Sequence, residues 1–142
     1  MNMKTAAGIL VTTFLLLVGS AGAEAQTITG QANISNSVGS TISEDFSGTS
    51  CSPSGTISAP SISNNSNGTA TGSSTNSSMT CFFRYQNATG ALGCQFEVQV
   101  TSTGGLALAN AYKGSGGRPT CTAGTGTFNP TTKTFSAPFT MQ

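Results

Sequence analysis

Charged side chains are scarce in this sequence, and histidine and tryptophan are missing altogether. Of the 142 residues, 5 are Lys or Arg and 4 are Asp or Glu, whereas about 25% of the residues of soluble domains are usually charged. The few cations are scattered, so the chain lacks the basic clusters that nucleic-acid binding requires. Without histidine it has no Ser-His-Asp or Cys-His nucleophile system and no imidazole zinc site. We therefore expect no nucleic-acid partner, no cofactor and no enzymatic activity.

The first 25 residues have the pattern of a secretory signal peptide. Lys4 supplies a positive charge, and an apolar run extends over residues 9–18. Two Ala-x-Ala motifs follow, which predicts cleavage after Ala23 or Ala25. The apolar run is too short to predict a membrane-spanning helix. The sequence thus predicts a single exported domain over residues 26–142, in the periplasm, on the cell surface or outside the cell, with no membrane span after cleavage.

Four cysteines fall within this predicted domain. An even number of cysteines in a small exported chain predicts two disulfide bonds, because compartments outside the cytoplasm are oxidising. The Cys-x-x-Cys pairs that are typical of metal sites do not occur in the sequence. Three pairings are possible among Cys51, Cys81, Cys94 and Cys121.

The spacing around two of these cysteines weakly favours one pairing. Strand-like segments around Cys81 and Cys94 flank the turn-forming residues 86–90. A hairpin with Tyr85 opposite Gly90 places Cys81 opposite Cys94, where Cβ atoms lie about 4.5–5.5 Å apart. The other two cysteines would then form the second bond. A slip of two residues in the hairpin register would change this pairing.

Apolar and polar residues alternate along several stretches of the domain, whereas the helical period is not seen. Alternation is clearest in residues 28–34, 94–100 and 135–141, which predicts β-strands. Residues 106–112 fit a short helix and a strand equally well. We expect an all-β fold, a small disulfide-bonded antiparallel β-sandwich or barrel with seven to nine short strands.

Residues 61–78 differ in composition from the rest of the domain. Fourteen of these 18 residues are Ser, Thr or Asn, so the segment has almost nothing to bury. It is predicted to be a mobile loop or a weak edge hairpin. Its hydroxyl and amide groups offer an adaptable hydrogen-bonding surface, but a solvated loop is the simpler interpretation.

Three residues form a candidate binding patch. Phe82 and Arg84 lie on the strand face opposite Cys81, and Tyr112 is a further aromatic residue outside the apolar faces. Aromatic side chains commonly stack on sugars, so this patch is a candidate for ligand binding.

The carboxylates and the glycine-rich loop are weaker candidates. Glu44 and Asp45 are adjacent, so on a strand they would point to opposite faces, and a glycosidase pair of either with Glu97 is less simple than solvated surface charges. The loop between Lys113 and Arg118 could cradle an anion. It lacks the phosphate-loop pattern, so a flexible connection between strands is the simpler interpretation.

The two ends of the predicted domain resemble chaperone–usher pilus subunits, which are small, exported, disulfide-bonded and poor in charge. The alternation over residues 28–34 resembles a donor strand, and residues 135–141 resemble a closing strand. The resemblance covers about 15 residues. The chain departs from the family pattern in its four cysteines and in Met141, which stands where the family has a penultimate tyrosine. The resemblance implies strand addition between subunits.

The sequence therefore favours a non-enzymatic exported protein with a structural, adhesive or surface-coat role. One alternative is a fibre subunit that uses strand exchange, and another is a carbohydrate-binding or inhibitor module. The expected partners are other surface subunits or glycans.

Overall fold

Two packed β-sheets make up the computed structural model, which describes residues 26–115 and 117–142. The all-β class is confirmed, although the described residues form more than the predicted seven to nine strands. The predicted signal segment lies outside the described residues. The strands are β1 (Ile28–Asn36), β2 (Ile42–Glu44), β3 (Ser50–Ser52), β4 (Thr56–Ser58), β5 (Ser66–Ser74), β6 (Ser78–Asn87), β7 (Leu92–Thr101), β8 (Gly104–Gly114), β9 (Cys121–Ala123), β10 (Thr127–Asn129) and β11 (Thr134–Met141).

The first sheet has the order β10–β11–β1–β5–β4, and β9 also pairs with β11. Its N-terminal strand β1 lies in the middle, parallel to β11 and antiparallel to β5. The second sheet has the order β2–β6–β7–β8, and β3 pairs with β6 as well. All pairings in the second sheet are antiparallel. Every second residue of the long strands therefore faces the space between the sheets.

Large apolar side chains of β1, β6, β7 and β11 fill that space. The ring of Phe96 lies 5.0 Å from the ring of Phe139 and 6.4 Å from that of Tyr85. The Tyr85 hydroxyl, which is too polar to be buried without a partner, donates to the carbonyl of Pro60 at 3.0 Å. The alternation in the sequence predicted these four strands, and the structure confirms that their apolar faces form the core.

The two disulfide bonds join Cys51 to Cys81 and Cys94 to Cys121. The predicted preference for a bond between Cys81 and Cys94, and for one between Cys51 and Cys121, is therefore wrong. The first bond links β3 to its neighbour β6, across Cα atoms that are 4.1 Å apart. The second links β7 in one sheet to β9 in the other.

The register of the β6–β7 hairpin explains this difference. Strand β6 continues to Asn87, whose carbonyl accepts a hydrogen bond from Gly90 and whose side-chain oxygen accepts one from Leu92. Gly90 adopts a φ of 69°, which glycine tolerates without a steric penalty. This turn places Tyr85 opposite Cys94, rather than opposite Gly90, and it moves Cys81 away from Cys94 by four residues.

The segment 61–78 is not the predicted loop or edge hairpin, because it contains β5 in the interior of the first sheet. The residues of β5 that face the core are small rather than large, and they include Gly68, Ala70 and Gly72. A Cβ atom on Gly72 would collide with both sulfurs of the Cys51–Cys81 bond. Small side chains therefore let this strand approach the second sheet closely, which burial of large residues would prevent.

The ambiguous segment 106–112 belongs to strand β8. Within residues 26–115 and 117–142, no helix is long and apolar enough to cross a membrane.

Candidate functional site

The side chain of Tyr112 extends over the outer face of the second sheet. A β-bulge between Gly93 and Cys94 shifts the register of β7 and β8 beside Tyr112. The ring lies on Gly93, where a Cβ atom would be 2.7 Å from the ring carbons. Because glycine leaves room there, the ring crosses β7, and its hydroxyl donates to Asp45 at 2.8 Å. Tyr112 thus connects β8 to the turn that follows β2 on the far side of β6.

Arg84 stacks on this ring from strand β6. Its guanidinium carbon lies 4.9 Å from the centre of the Tyr112 ring, which is cation–π geometry. Its Nε atom donates to the side-chain oxygen of Gln95 at 2.7 Å. On its other side the Arg84 side chain packs closely on Gly48, where an added Cβ atom would collide with it. The guanidinium is therefore held by three neighbours, and its terminal nitrogens have no hydrogen-bond acceptor among the described residues.

Asp45 is the buried centre of this cluster. Its carboxylate accepts hydrogen bonds from the amide and hydroxyl of Ser47, from the Tyr112 hydroxyl and from the Lys113 ammonium. The Lys113 nitrogen lies 3.2 Å from the Asp45 oxygen and also donates to Gln86 at 2.7 Å. The carboxylate thus ties the turn after β2 to the far edge of the sheet, and it positions Tyr112 for Arg84.

These contacts shift the ionisation of two residues. Hydrogen bonds from Ser47, Tyr112 and Lys113 hold the pKa of Asp45 well below its usual range. Burial, followed by the hydrogen bond to Asp45, raises the pKa of the Tyr112 hydroxyl above its usual value. At neutral pH the pair is therefore a carboxylate with a protonated phenol as its donor.

We expect the variant Asp45→Asn to be less stable than the parent protein by about 1.5–3 kcal/mol at pH 7, since hydrogen bonds to a charged group are lost. The folded-state pKa lies below that of a free carboxyl, about 3.9. The contribution of Asp45 is therefore complete above that pH and declines as the pH falls below it. Urea unfolding between pH 7 and pH 2 should show the two proteins converging in acid. A difference that did not change with pH would contradict an ionic role for Asp45.

The structure brings two of the three predicted patch residues, Arg84 and Tyr112, into contact. Phe82 lies two residues before Arg84 on the same face of β6, in line with Glu97 of β7 and Leu108 of β8. Two further apolar side chains are exposed: Leu108, in line with Phe82, is 41% exposed, and Phe46, the residue after Asp45, is 83% exposed. We call Phe82, Arg84 and Tyr112 together with these two residues the outer patch.

Sequence reasoning missed the role of Asp45 and Lys113. The adjacent acids Glu44 and Asp45 were expected on opposite faces of one strand, but β2 ends at Glu44 and Asp45 lies in the following turn. The sequence places Lys113 with Arg118 in a candidate anion loop, whereas in the structure Lys113 pairs with Asp45. The Asp-x-Ser spacing before a glycine is a turn signal that could have indicated this arrangement. The donors Tyr112 and Lys113 are distant from Asp45 in sequence, so no local pattern indicates their contacts with it.

Two of the carboxylates, those of Glu97 and Asp45, have protein partners of their own. Glu97 accepts a hydrogen bond from Gln99 at 2.7 Å, and Asp45 accepts four. In the described parts of the chain, no three Cys, Asp or Glu side chains cluster as metal ligands would.

The chain matches no known protein-family model and no curated protein sequence.

Proposed function

We propose that this chain is a non-enzymatic exported protein with a structural, adhesive or surface-coat role, and that the outer patch is its contact surface. The observation that carries the proposal is the position of the Arg84 guanidinium. It is stacked on Tyr112 and fixed by Gln95, yet its terminal N–H groups have no acceptor in the described residues. A donor held in place before binding loses little conformational entropy when it binds a ligand.

The two disulfide bonds support export. Such bonds form and persist in oxidising compartments and are rare in the cytosol. They are consistent with the signal peptide that the sequence predicts, and a small domain with few charges benefits from covalent links. A protein placed outside the cell presents its outer patch to other surfaces.

The state of the Asp45 carboxylate supports a role other than catalysis. A glycosidase needs one carboxyl group with a raised pKa to act as a general acid. The pKa of Asp45 is lowered instead, and its oxygens are engaged by Ser47, Tyr112 and Lys113. The group is thus arranged to hold structure and not to donate a proton.

Carbohydrate binding is a second candidate that the same surface favours, with acidic polysaccharides as the ligand class. A guanidinium forms paired hydrogen bonds with a carboxylate, and exposed aromatic rings such as Phe46 can pack on the apolar face of a sugar. In this candidate Arg84 binds the uronate carboxylate, while Phe82 and Phe46 contact the ring.

Arg84→Gln is expected to reduce retention of the 26–142 chain on immobilised polygalacturonate by about tenfold or more. The matched control is Arg118→Gln, which removes the same charge from an exposed position in the loop after β8. Retention should be unchanged in that variant. Neutral dextran serves as the second surface, and thermal unfolding verifies that both variants fold.

Three outcomes separate the candidates. If intact cells of the source organism retain the protein through Arg84 but polygalacturonate does not, the adhesive role stands and the acidic sugar is excluded. If Arg84→Gln and Arg118→Gln bind every surface as the parent does, the outer patch is not the contact surface. Release of new reducing ends from the polysaccharide, abolished by Glu97→Gln, would contradict a non-enzymatic role.

A further inference from the structure

Strand β8 is a long, unpaired edge of the second sheet. It has 11 residues, and within the described residues it pairs with β7 alone. The strands at the other sheet edges (β2, β3, β4, β9 and β10) have three residues each. Short edge strands are one way in which proteins prevent unwanted pairing. The length of β8 therefore distinguishes this edge from the others.

The composition of β8 also lacks the usual protection. Residues 104–112 contain no charged residue and no proline, although lysine and proline are what commonly block pairing at an exposed edge. On the outer face Leu106 is 49% exposed and Leu108 is 41% exposed. An exposed edge with two neighbouring leucines is suited to pair with another strand.

The direction of the free backbone groups follows from the turn that joins β7 to β8. Thr101 and Gly104 flank a two-residue turn, and such a pair is hydrogen-bonded across the hairpin. Bonded and non-bonded pairs alternate in an antiparallel ladder. Leu106 and Leu108 therefore bond to β7, whereas the N–H and C=O groups of Ala107 and Ala109 point to the free edge.

We propose that β8 pairs in an antiparallel arrangement with the β8 of a second copy of this chain. A two-fold axis at Ala107 places Leu106 opposite Leu108 of the partner subunit, and the reverse pair forms by symmetry. These are non-bonded pairs, in which side chains of opposite strands approach most closely. The same axis brings Ala109 opposite Gly105 of the partner subunit, with their backbone groups in hydrogen-bonding positions.

Charge and space both favour a second copy as the occupant. The nearest acidic residue on the outer face, Glu97, would lie about 16 Å from its symmetry mate, because three strand spacings and two residues along the strand separate them. That separation exceeds the screening length of about 8 Å at physiological salt. A groove of about 420 Å³ also runs beside the edge, between Gly105–Ala107 and residues 123–126, with Phe135 in its lining. The groove separates residues 123–126 from this part of β8, so they do not cover the edge there.

Pairing of this kind ends at two copies. Each chain uses β8, the one long edge strand among the described residues, and a two-fold interface is closed. The inference goes beyond the proposed function, because the dimer does not need Arg84 or its ligand. In the dimer the two second sheets become one continuous sheet that carries two outer patches.

Sedimentation of the 26–142 chain between about 10 µM and about 1 mM tests the proposal. We expect a monomer–dimer equilibrium, weakened about tenfold or more by the double variant Leu106→Lys/Leu108→Lys. The matched control, Ser50→Lys/Ser52→Lys, adds the same charges to exposed positions on the short strand β3 and should dimerise normally. Arg84→Gln should also dimerise normally, which separates this inference from the proposed function.

Amide hydrogen exchange at low and high concentration locates the interface. The Ala107 and Ala109 amides should become protected as concentration rises, whereas the Leu106 and Leu108 amides, already bonded to β7, should not change. A chain that stays monomeric throughout would overturn the proposal. So would a dimer in which Ala107 and Ala109 remain unprotected, or assembly beyond two copies through this edge.

Discussion

A chain that lacks residues 26–35 is expected not to fold as a monomer. This deletion removes nearly all of β1, which pairs with β5 over nine residues and with β11 over eight. The first sheet would then be split in its middle, and the backbone groups of two long strands would lose their partners. Unpaired buried backbone groups are costly, so the neighbouring strands could not simply remain in place.

The same deletion empties part of the core. Ile28, Ala32 and Ile34 of β1 are at most 2% exposed. Burial of each isoleucine contributes about 1.5–3 kcal/mol, while the whole domain is expected to be stable by only about 5–15 kcal/mol. The free energy lost with these side chains and with two ladders of backbone hydrogen bonds should therefore exceed the net stability of the domain.

Circular dichroism and proton–nitrogen correlation spectra of the truncated chain provide the measurement. The expected result is a disordered spectrum without a cooperative unfolding transition. Addition of a peptide spanning residues 26–36 should restore some of the fold, whereas a control peptide with Ile28→Ser and Ile34→Ser should not. A truncated chain that folds fully without the peptide would show that β1 is dispensable to the domain, as the strand-exchange alternative requires.

Removal of either disulfide bond is the second large effect that we expect. The bonds close loops with sequence separations of 30 and 27 residues. The chain-entropy model assigns about 3.6 kcal/mol to a loop of either length. Cys51→Ala/Cys81→Ala and Cys94→Ala/Cys121→Ala should therefore destabilise the protein by similar amounts, and loss of both bonds should unfold it or leave it marginal.

Urea unfolding of the two double variants, beside the parent protein, measures these differences. The Cys94–Cys121 bond is the disulfide that joins the two sheets. Its loss is expected to lower the stability of the protein without changing the hydrogen bonds between the strands of the first sheet. A loss below about 0.5 kcal/mol in either variant would show that the corresponding loop is already ordered in the unfolded chain, and would contradict the expected effect.

Sequence patterns predicted the strands that bury large side chains. Alternation over residues 28–34, 94–100 and 135–141, together with the strand-like segment around Cys81, identified the four strands that supply most of the core, because period-two burial of Ile, Phe and Val is a strong local signal. Strand β5 lacks this signal. Its core-facing positions include Gly68, Ala70 and Gly72, and their importance depends on Ile62 and the disulfide bond, which pack against Gly68 and Gly72.

The hairpin register could not be read from the same pattern. A shift of four residues keeps every apolar side chain of β6 and β7 on the core face, so alternation alone cannot distinguish the two registers. The turn decides between them, through hydrogen bonds to Asn87 and the positive φ of Gly90. The cysteine pairing was predicted wrongly for this reason.

The outer patch was predictable in part. Phe82 and Arg84 share a face because they are two residues apart on one strand, which is a local property. The contact with Tyr112 depends on a bulge in β7, on Gly93 beneath the ring and on Asp45 as the acceptor. These three conditions are set by strands that are distant in sequence, and so the sequence did not reveal them.

The β6–β7 register determines both the disulfide bonds and the residues that meet in the outer patch. Trypsin digestion without reduction, with free thiols blocked, tests it directly. Trypsin cleaves after Arg84, Lys113 and Lys133 but not between Arg118 and Pro119, so the cysteines fall in fragments 26–84, 85–113 and 114–133.

With this register, fragment 26–84 should be released alone with its internal Cys51–Cys81 bond, while fragments 85–113 and 114–133 remain joined through Cys94 and Cys121. Either other pairing of the four cysteines would hold all three fragments together as one species. A mass spectrum that shows this single linked species would contradict the register and the architecture of the patch.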